Sequence, residues 1–380
     1  MSIPRNISPV LNVGKKVFVF RDADVREILK RDKEFTLRQI NYENIARHIG
    51  PFILGMDDGP EYEHDIKVLR SVVRKDDPER IRKFVRRTAD ELLDQVEGEF
   101  DMVSAFSRLL PLRMVGDYFG VQGPNAADMY RWNRTLFWDV FLELGDNPEL
   151  RARAKQCAQE MAAYLDELIG ELKSVMNGGG RLADNLLTRL LAVQQSKNAD
   201  ISDAWIRGNI SGIFLGALEP TNKSVVNILG ELYKRPKMLK AAQEAAMADD
   251  MKKVAGFAWE ALRFHPNAPA LLRYAEEERI IGGDGRKKRT IKSGRPIFLM
   301  SLSAMFDGRA VENPKAFNPD RPFSTYLYFG LGLHTCYGNH VNFVSIPEML
   351  AAVLRRPNLK PVGKVVPEGP FANEWTWTAK

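Results

Sequence analysis

Cys336 lies in the stretch FGLGLHTCYG, residues 329–338, and is one of only two cysteines among 380 residues. Phe329, Gly330, Gly332, His334 and Gly338 surround it at fixed offsets. Three chemistries compete for a cysteine framed in this way. A zinc site takes about four ligands. Only five histidines exist, at 48, 64, 265, 334 and 340, and neither CxxC nor HExxH occurs, which counts against zinc. A nucleophilic cysteine needs a nearby base, and His334 and His340 are two and four residues away. A thiolate that ligates haem iron needs a loop whose backbone N–H groups point at the sulfur. Glycines supply such tight turns, and the hydrogen bonds and apolar shielding tune the ligand.

The third chemistry uses every element of the frame. The motif resembles the cysteine loop of the cytochrome P450 family, F-G-x-G-x-H-x-C-x-G, which Phe329, Gly330, Gly332, His334, Cys336 and Gly338 match at every position. The resemblance implies that Cys336 is the iron ligand of haem b (iron protoporphyrin IX). Phe329 then shields the sulfur, and His334 reaches a haem propionate. Upstream, Glu260 and Arg263 stand at i,i+3 inside the apolar helix VAGFAWEALRF, on one helix face. A buried pair there needs a further partner. The family's Glu-x-x-Arg pair bonds an arginine in the coil before the cysteine loop, and Arg321 in FNPDRPF matches it. Arg273, in APALLRYA, stands where the family places a propionate-binding arginine; the alternative is an ordinary strand-edge charge.

The likeness runs from KKVFVFRDADVREIL to the C-terminal strands. GPEYEHDIKVLRSVVRK resembles the family's helix beside the propionates, where a histidine and an arginine often project. Tyr62 or Ile66 holds the histidine slot, depending on alignment. Arg70 fits the arginine slot, with His64 and Lys67 as substitutes. By the resemblance, the family's usual first helix is expected to be absent, and VNFVSIP after the cysteine departs from the family pattern. Pro347 is expected to kink or delay that helix.

The family's oxygen-handling helix carries a small pair, any residue, an acid and a threonine. WIRGNISGIFLGALEPTNKSVVNILGEL is the one candidate. Gly216, Ala217 and Glu219 match the pattern, and Pro220 stands in the threonine slot. Ile213, Gly216, Ala217, Pro220 and Ser224 follow helical spacing and share a face. Thr221 lies about 100° around. Proline removes the N–H that would bond the Gly216 carbonyl. Glu219, Thr221 and Ser224 are candidate substitutes for the missing hydroxyl; for Glu219 a plain surface carboxylate is the other reading.

Other elements must position these groups. Hydrophobic residues make up 44 % and charged residues 27 %, ordinary values for a soluble globular chain. The net charge of +6 favours acidic partners. No nucleic-acid-binding motif appears. MSIPRNISPV has no apolar core of a signal peptide, and no run of 18 apolar residues exists, so a cytoplasmic location is expected. KKVFVF reads as a strand, DADVREILKRD as a helix with an aspartate cap, and residues 36–60 as irregular. Residues 62–275 read as almost wholly helical. After 279, short strands alternate with turns such as GGDG, and NEWTWTA reads as a strand-like tail. Cys157 lies in a long helical pattern and reads as a packing residue.

A mainly α (α+β) fold in one domain, residues 1–380, is expected. By the resemblance, it is the P450 fold with small sheets. The family's usual activity is monooxygenation with electrons from a separate ferredoxin and reductase. Lys67, Arg70, Arg74, Lys75, Lys252 and Lys253 are candidates for steering that partner, or are solvated helix faces. A peroxygenase or hydroperoxide isomerase is the alternative, and a non-catalytic haem-thiolate sensor a third reading. A hydrophobic small molecule or lipid chain is the expected substrate. Its pocket is expected to draw on residues 41–56, Phe137, Phe141, Phe214, Leu218, Ala270 and the tail near Phe371.

Overall fold

The computed structural model describes residues 5–6, 8–143, 145, 147–196, 199–283 and 285–379. Asp284 of the expected GGDG turn lies outside them. In chain order the elements are β1 (Val10–Val13), β2 (Lys16–Val19), α1 (Asp22–Lys30), α2 (Glu43–Ile49), α3 (Pro60–Ser71), α4 (Asp77–Leu93), β3 (Gly98–Asp101), α5 (Leu109–Met114), α6 (Ala126–Phe137), α7 (Pro148–Asn177), α8 (Leu186–Gln195) and α9 (Asp203–Tyr233). There follow α10 (Pro236–Met247), α11 (Met251–Phe264), β4 (Leu271–Ala275), β5 (Arg279–Gly283), β6 (Arg286–Ile291), β7 (Arg295–Leu299), α12 (Ser301–Ala304), α13 (Asn339–Leu354), β8 (Leu359–Pro361), β9 (Val366–Glu368), β10 (Phe371–Glu374) and β11 (Thr376–Ala379).

The chain divides into two compact units. One comprises residues 1–40, 57–59 and 227–339; the other comprises 41–56, 60–226 and 340–380. In the first, four strands form a sheet in the order β1-β2-β7-β4. β2 pairs in parallel with β7, and β4 runs antiparallel to β7 with Arg273 opposite Ile297. Strand alternation drives this sheet. Val17, Val19, Ile297 and Leu299 are buried on one side, while Phe18 stacks on Phe298 at 5.0 Å on the other. The aspartate expected to cap α1 acts differently. Arg21 occupies the cap position without a side-chain bond. Asp22 enters the first turn, where its carboxylate takes the Arg26 Nε at 2.8 Å.

In the second unit, helix ends follow sequence signals. Asn147 accepts from Glu149 and Leu150 ahead of Pro148 at the start of α7, and Asn185 forms a capping box with Thr188 for α8. Two elements depart from the expected pattern: residues 43–49 are helical, and Gly98–Asp101 is a strand paired with β11. Pro347 sits inside α13, which runs unbroken over Asn339–Leu354. Among the described residues, no helix is long and apolar enough to cross a membrane.

A buried ion pair braces α4 against α8. Arg189 donates to both oxygens of Asp77 at 2.8 Å, and Tyr118 Oη and the Arg74 amide donate to Oδ2, each also at 2.8 Å. Burial pushes the Asp77 carboxyl up, but these four donors outweigh it and hold the group below its ordinary value. A carboxyl depressed on folding contributes stability above its unfolded pKa and loses it as pH falls through the folded one. Asp77→Asn is therefore expected to cost about 3–5 kcal/mol at pH 7. Its Tm should fall less steeply than the parent's below about pH 4, which thermal melts across pH 3–7 will show.

Candidate functional site

The cysteine loop belongs to the first unit. Gly330 and Gly332 adopt φ of +76° and +79°, which favours glycine. At Gly332 a Cβ would stand 2.4 Å from the Leu29 carbonyl oxygen. The turn is closed by the Cys336 amide donating to Phe329 O at 2.8 Å and the Gly330 amide donating to Leu327 O at 3.0 Å. Phe329 lies edge-on to Trp259, with ring centres 6.0 Å apart. Burial pushes the Cys336 thiol above its usual range, opposed by the Gly338 N–H that points at its sulfur. Cys336 and Cys157 are both free thiols, and Cys157 is buried in α7.

Arg273 and His334 flank this loop. Arg273 is 4 % exposed. Its guanidinium donates to Leu272 O at 2.8 Å and stands 3.6 Å from Asp32, while its Nε is buried without a hydrogen-bond partner. Burial lowers its pKa, with Asp32 and Asp57 opposing. Burial and the nearby Arg273 push His334 down to about 3. Asp32 also accepts the Leu333 amide at 3.1 Å. Sequence reasoning missed Asp32, which lies 301 residues from Leu333 and has no local signal in RDKEF.

Glu260, Arg263 and Arg321 come together in the same unit. Glu260 and Arg263 are fully buried. Arg263 binds Glu260 bidentately at 2.9 and 2.6 Å, Arg321 Nε donates at 3.2 Å, and Tyr326 Oη and the Asn318 amide donate at 3.2 and 2.9 Å. The remaining guanidinium donors reach backbone oxygens of the coil: Arg263 bonds Pro314 and Ala316, and Arg321 bonds Glu312, Asn313 and Ala316. Gly256 lies against Pro319, whose carbonyl a Cβ would strike. Ala270, half-buried, precedes β4.

In the second unit, α9 is buried over most of residues 206–226, except along one stripe. Gly216 is exposed; Ala217, Pro220 and Lys223 are half-buried. A Cβ at Gly216 would meet nothing within 4 Å. At 100° per residue, Gly216, Pro220 and Lys223 fall within about 60° of one another. Lys223 was not foreseen, although the spacing from Pro220 would have found it; burial lowers its pKa. Thr221 is buried away from the stripe. Ser224 Oγ donates to Pro220 O at 2.8 Å. Glu219 is 1 % exposed. Its carboxylate lies 2.9 Å from Arg108 Nε and 3.8 Å from Arg134 Nε, and accepts from Asn222 at 3.0 Å. Its surroundings are thus an interior ion pair, not solvent.

The expected pocket residues divide. Phe137 packs on Phe141 at 5.1 Å and on Phe371 at 6.2 Å. Phe214 and Leu218 are buried on the side of α9 opposite the open stripe. Residues 41–56 approach α9 at Gly212, whose absent Cβ leaves room for the Phe52 ring. On α3, Tyr62 is buried, Ile66 half-buried, and Lys67 and Arg70 exposed. His64 bonds Asp65 at 3.0 Å and meets Trp205 edge-on.

Among the described residues, no group of three or more His, Cys, Asp or Glu could hold a metal ion. A half-buried sulfur that accepts an N–H, in a loop whose His334 has a buried guanidinium with an unused donor nearby, suits an iron porphyrin with acidic side arms. A mostly helical fold with such a loop defines a haem-thiolate oxidoreductase.

The comparisons give the family. The cytochrome P450 profile matches residues 11–374, and the chain belongs to the cytochrome P450 family. Pulcherriminic acid synthase of Bacillus subtilis is 25 % identical over 84 % of this chain and 78 % of its own length. Mycinamicin IV hydroxylase/epoxidase of Micromonospora griseorubida is 24 % identical over 80 % and 72 %. Among solved structures, CalO2 superposes with a TM-score of 0.84 at 21 % identity, covering 100 % of this chain and 94 % of its own. P450BioI, in complex with hexadec-9Z-enoic acid ligated acyl carrier protein, gives 0.82 at 20 % identity, covering 99 % and 96 %. The protein is a cytochrome P450 enzyme, and its cofactor is haem b.

Proposed function

We propose that this enzyme inserts one oxygen atom from dioxygen into a hydrophobic small molecule in the cytoplasm, using electrons from a separate ferredoxin and reductase. The observation that carries the reading is the half-buried Cys336 sulfur, which accepts the Gly338 N–H inside a loop fixed by Gly330 and Gly332. Haem b, when bound, supplies the oxygen chemistry. Cys336 is the residue that holds its iron. The Gly338 amide tunes that sulfur. Arg273 offers its buried cation to the acidic side arms. Phe137, Phe141 and Phe371 give the substrate an apolar surface, consistent with relatives named for hydroxylation, epoxidation and steroid oxidation.

A second reading, with peroxide or a lipid hydroperoxide as oxidant, is favoured by the groups around Pro220. Proline has neither hydroxyl nor N–H. Glu219 is held in an interior ion pair, and the Ser224 hydroxyl donates to a helix carbonyl. Proton supply along the stripe then falls to water or to Lys223.

Product formed per NADPH consumed, and product formed with added peroxide, separate the two. If Pro220 leaves proton supply weak, the parent releases hydrogen peroxide in the electron-driven reaction. Pro220→Thr should then raise product per NADPH severalfold and change the peroxide-driven yield less. Efficient coupling in the parent that falls on Pro220→Thr would show that the proline helps build the proton route, and would count against the peroxide reading.

A further inference from the structure

The acid of α9 has the sequence position of a proton-handling group, but its surroundings tie it to a pocket wall. Arg108, 7 % exposed, lies 2.9 Å from Glu219 and donates to the Ala372 carbonyl at 2.8 Å. Asn222 donates to Glu219 at 3.0 Å and to the same carbonyl at 3.3 Å. Ser107 Oγ, donating at 2.7 Å to Asn222 Oδ1, fixes that amide's orientation. Arg134, on α6, stands 3.8 Å from Glu219 and donates to Asn373 at 2.7 Å and Glu368 at 2.8 Å. Every one of these bonds ends on the β9–β10 hairpin or on a group that does.

The hairpin carries Phe371, with the Arg134 guanidinium 5.0 Å from the centre of its ring. Phe371 meets Phe137 at 6.2 Å and Trp138 at 6.0 Å. At Gly369, φ is +56° and a Cβ would stand 2.5 Å from the Trp138 ring, so the hairpin tip presses on the end of α6. Burial raises Tyr130, whose ring Arg108 also faces, to about 12.

We propose that Glu219 is a positioning residue, and that the Glu219–Arg108–Arg134 cluster fixes the aromatic wall of Phe137, Trp138 and Phe371, which selects apolar substrates by size and shape. The proposal rests on the oxygenase reading above for what the wall selects. The cluster's hold on the hairpin is independent of it. Buried ionic groups are costly to desolvate, and in some proteins they confer specificity of arrangement. Here a two-residue hairpin turn between strands of three and four residues has little apolar area of its own to hold it. Charge-assisted bonds to its backbone at Ala372 and its side chains at Glu368 and Asn373 do so instead.

Arg134→Met is the decisive variant. Arg134 is 17 % exposed at its side chain, and its removal leaves Glu219 paired with Arg108. Hydrogen exchange of residues 366–374 and 137–142 reads the hairpin directly, with or without haem. Dissociation constants for a graded series of apolar ligands, read by the Soret shift in holoprotein and by tryptophan emission in any haem-free fraction, read the wall. Arg134→Met should speed exchange at 366–374 and weaken the best-fitting ligands about tenfold, with a flatter dependence on ligand size. Unchanged exchange, or faster exchange with the ligand series bound as in the parent, overturns the proposal. In Glu219→Gln, where it folds, exchange should rise in the same segments and the loss should appear in KM. A fall in product per NADPH with hairpin exchange at the parent's rate would make Glu219 a proton carrier and overturn it too. Absence of a thiolate-haem spectrum would sink the oxygenase reading alone, leaving the exchange result to judge the cluster.

Discussion

Replacing Cys336 with alanine is expected to abolish the strongly red-shifted Soret band of the reduced, CO-bound protein, and with it all turnover. Cys157→Ala should keep both. The two cysteines differ in surroundings, not in exposure alone. Cys157 packs on a helix face, 3.5 Å from the Arg131 guanidinium, with the side chains of Thr135 and Arg131 as its hydrogen-bond partners. Cys336 sits in a glycine-shaped loop with the Gly338 amide directed at it. Without iron, burial favours the neutral thiol in both. A coordinated metal reverses this, since a ligating thiol loses its proton outright. The thiolate therefore belongs to the loaded protein. A histidine-type band in freshly prepared, active parent would show that some other side chain holds the iron.

The cysteine loop was legible because its chemistry is local. Six positions within ten residues set where amides and φ > 0 turns must fall. Glu260 and Arg263 were legible for the same reason, an i,i+3 spacing in an apolar helix. The side chains around Glu219 were not. Its partner Arg108 lies 111 positions away on the chain, and nothing in SRLLPLRM marks that arginine for burial. The stripe on α9 could be read from helical phase, and Lys223 belongs to it by the same arithmetic. Placing Phe214 and Leu218 in the pocket set that phase aside, and both lie on the opposite face. Short elements were lost to weak patterns. ENIARHI falls between turn signals, and the polar strand GEFD is formed by pairing with β11, whose tail position no local cue announces. The helix α3 shows a different limit: its histidine and arginine are present in sequence, but helical phase sends His64 to Asp65 and Trp205 and leaves Arg70 exposed.

Glu260→Ala is expected to yield little folded, haem-loaded protein. Glu260 accepts five hydrogen bonds from Arg263, Arg321, Tyr326 and the Asn318 amide, with no solvent access. Alanine leaves the Arg263 guanidinium buried with a full charge and two donors unmet. Breaking a buried pair in this way costs about 3–5 kcal/mol, a large share of the roughly 5–15 kcal/mol that holds a domain together. Glu260→Gln keeps the shape and one acceptor oxygen but loses the charge, so it should fall between alanine and the parent in Tm and in haem-loaded yield. Arg321→Met should cost less than Arg263→Met. Arg321 gives Glu260 a single bond at 3.2 Å and spends its other donors on carbonyls of residues 312–316, whereas Arg263 binds the carboxylate through two donors. That order, read as Tm and as soluble haem-loaded protein per cell mass, tests whether the group acts as one buried unit. A Glu260→Ala protein that expresses, melts and loads haem like the parent would mean that the coil before the cysteine loop is held by its carbonyl bonds alone.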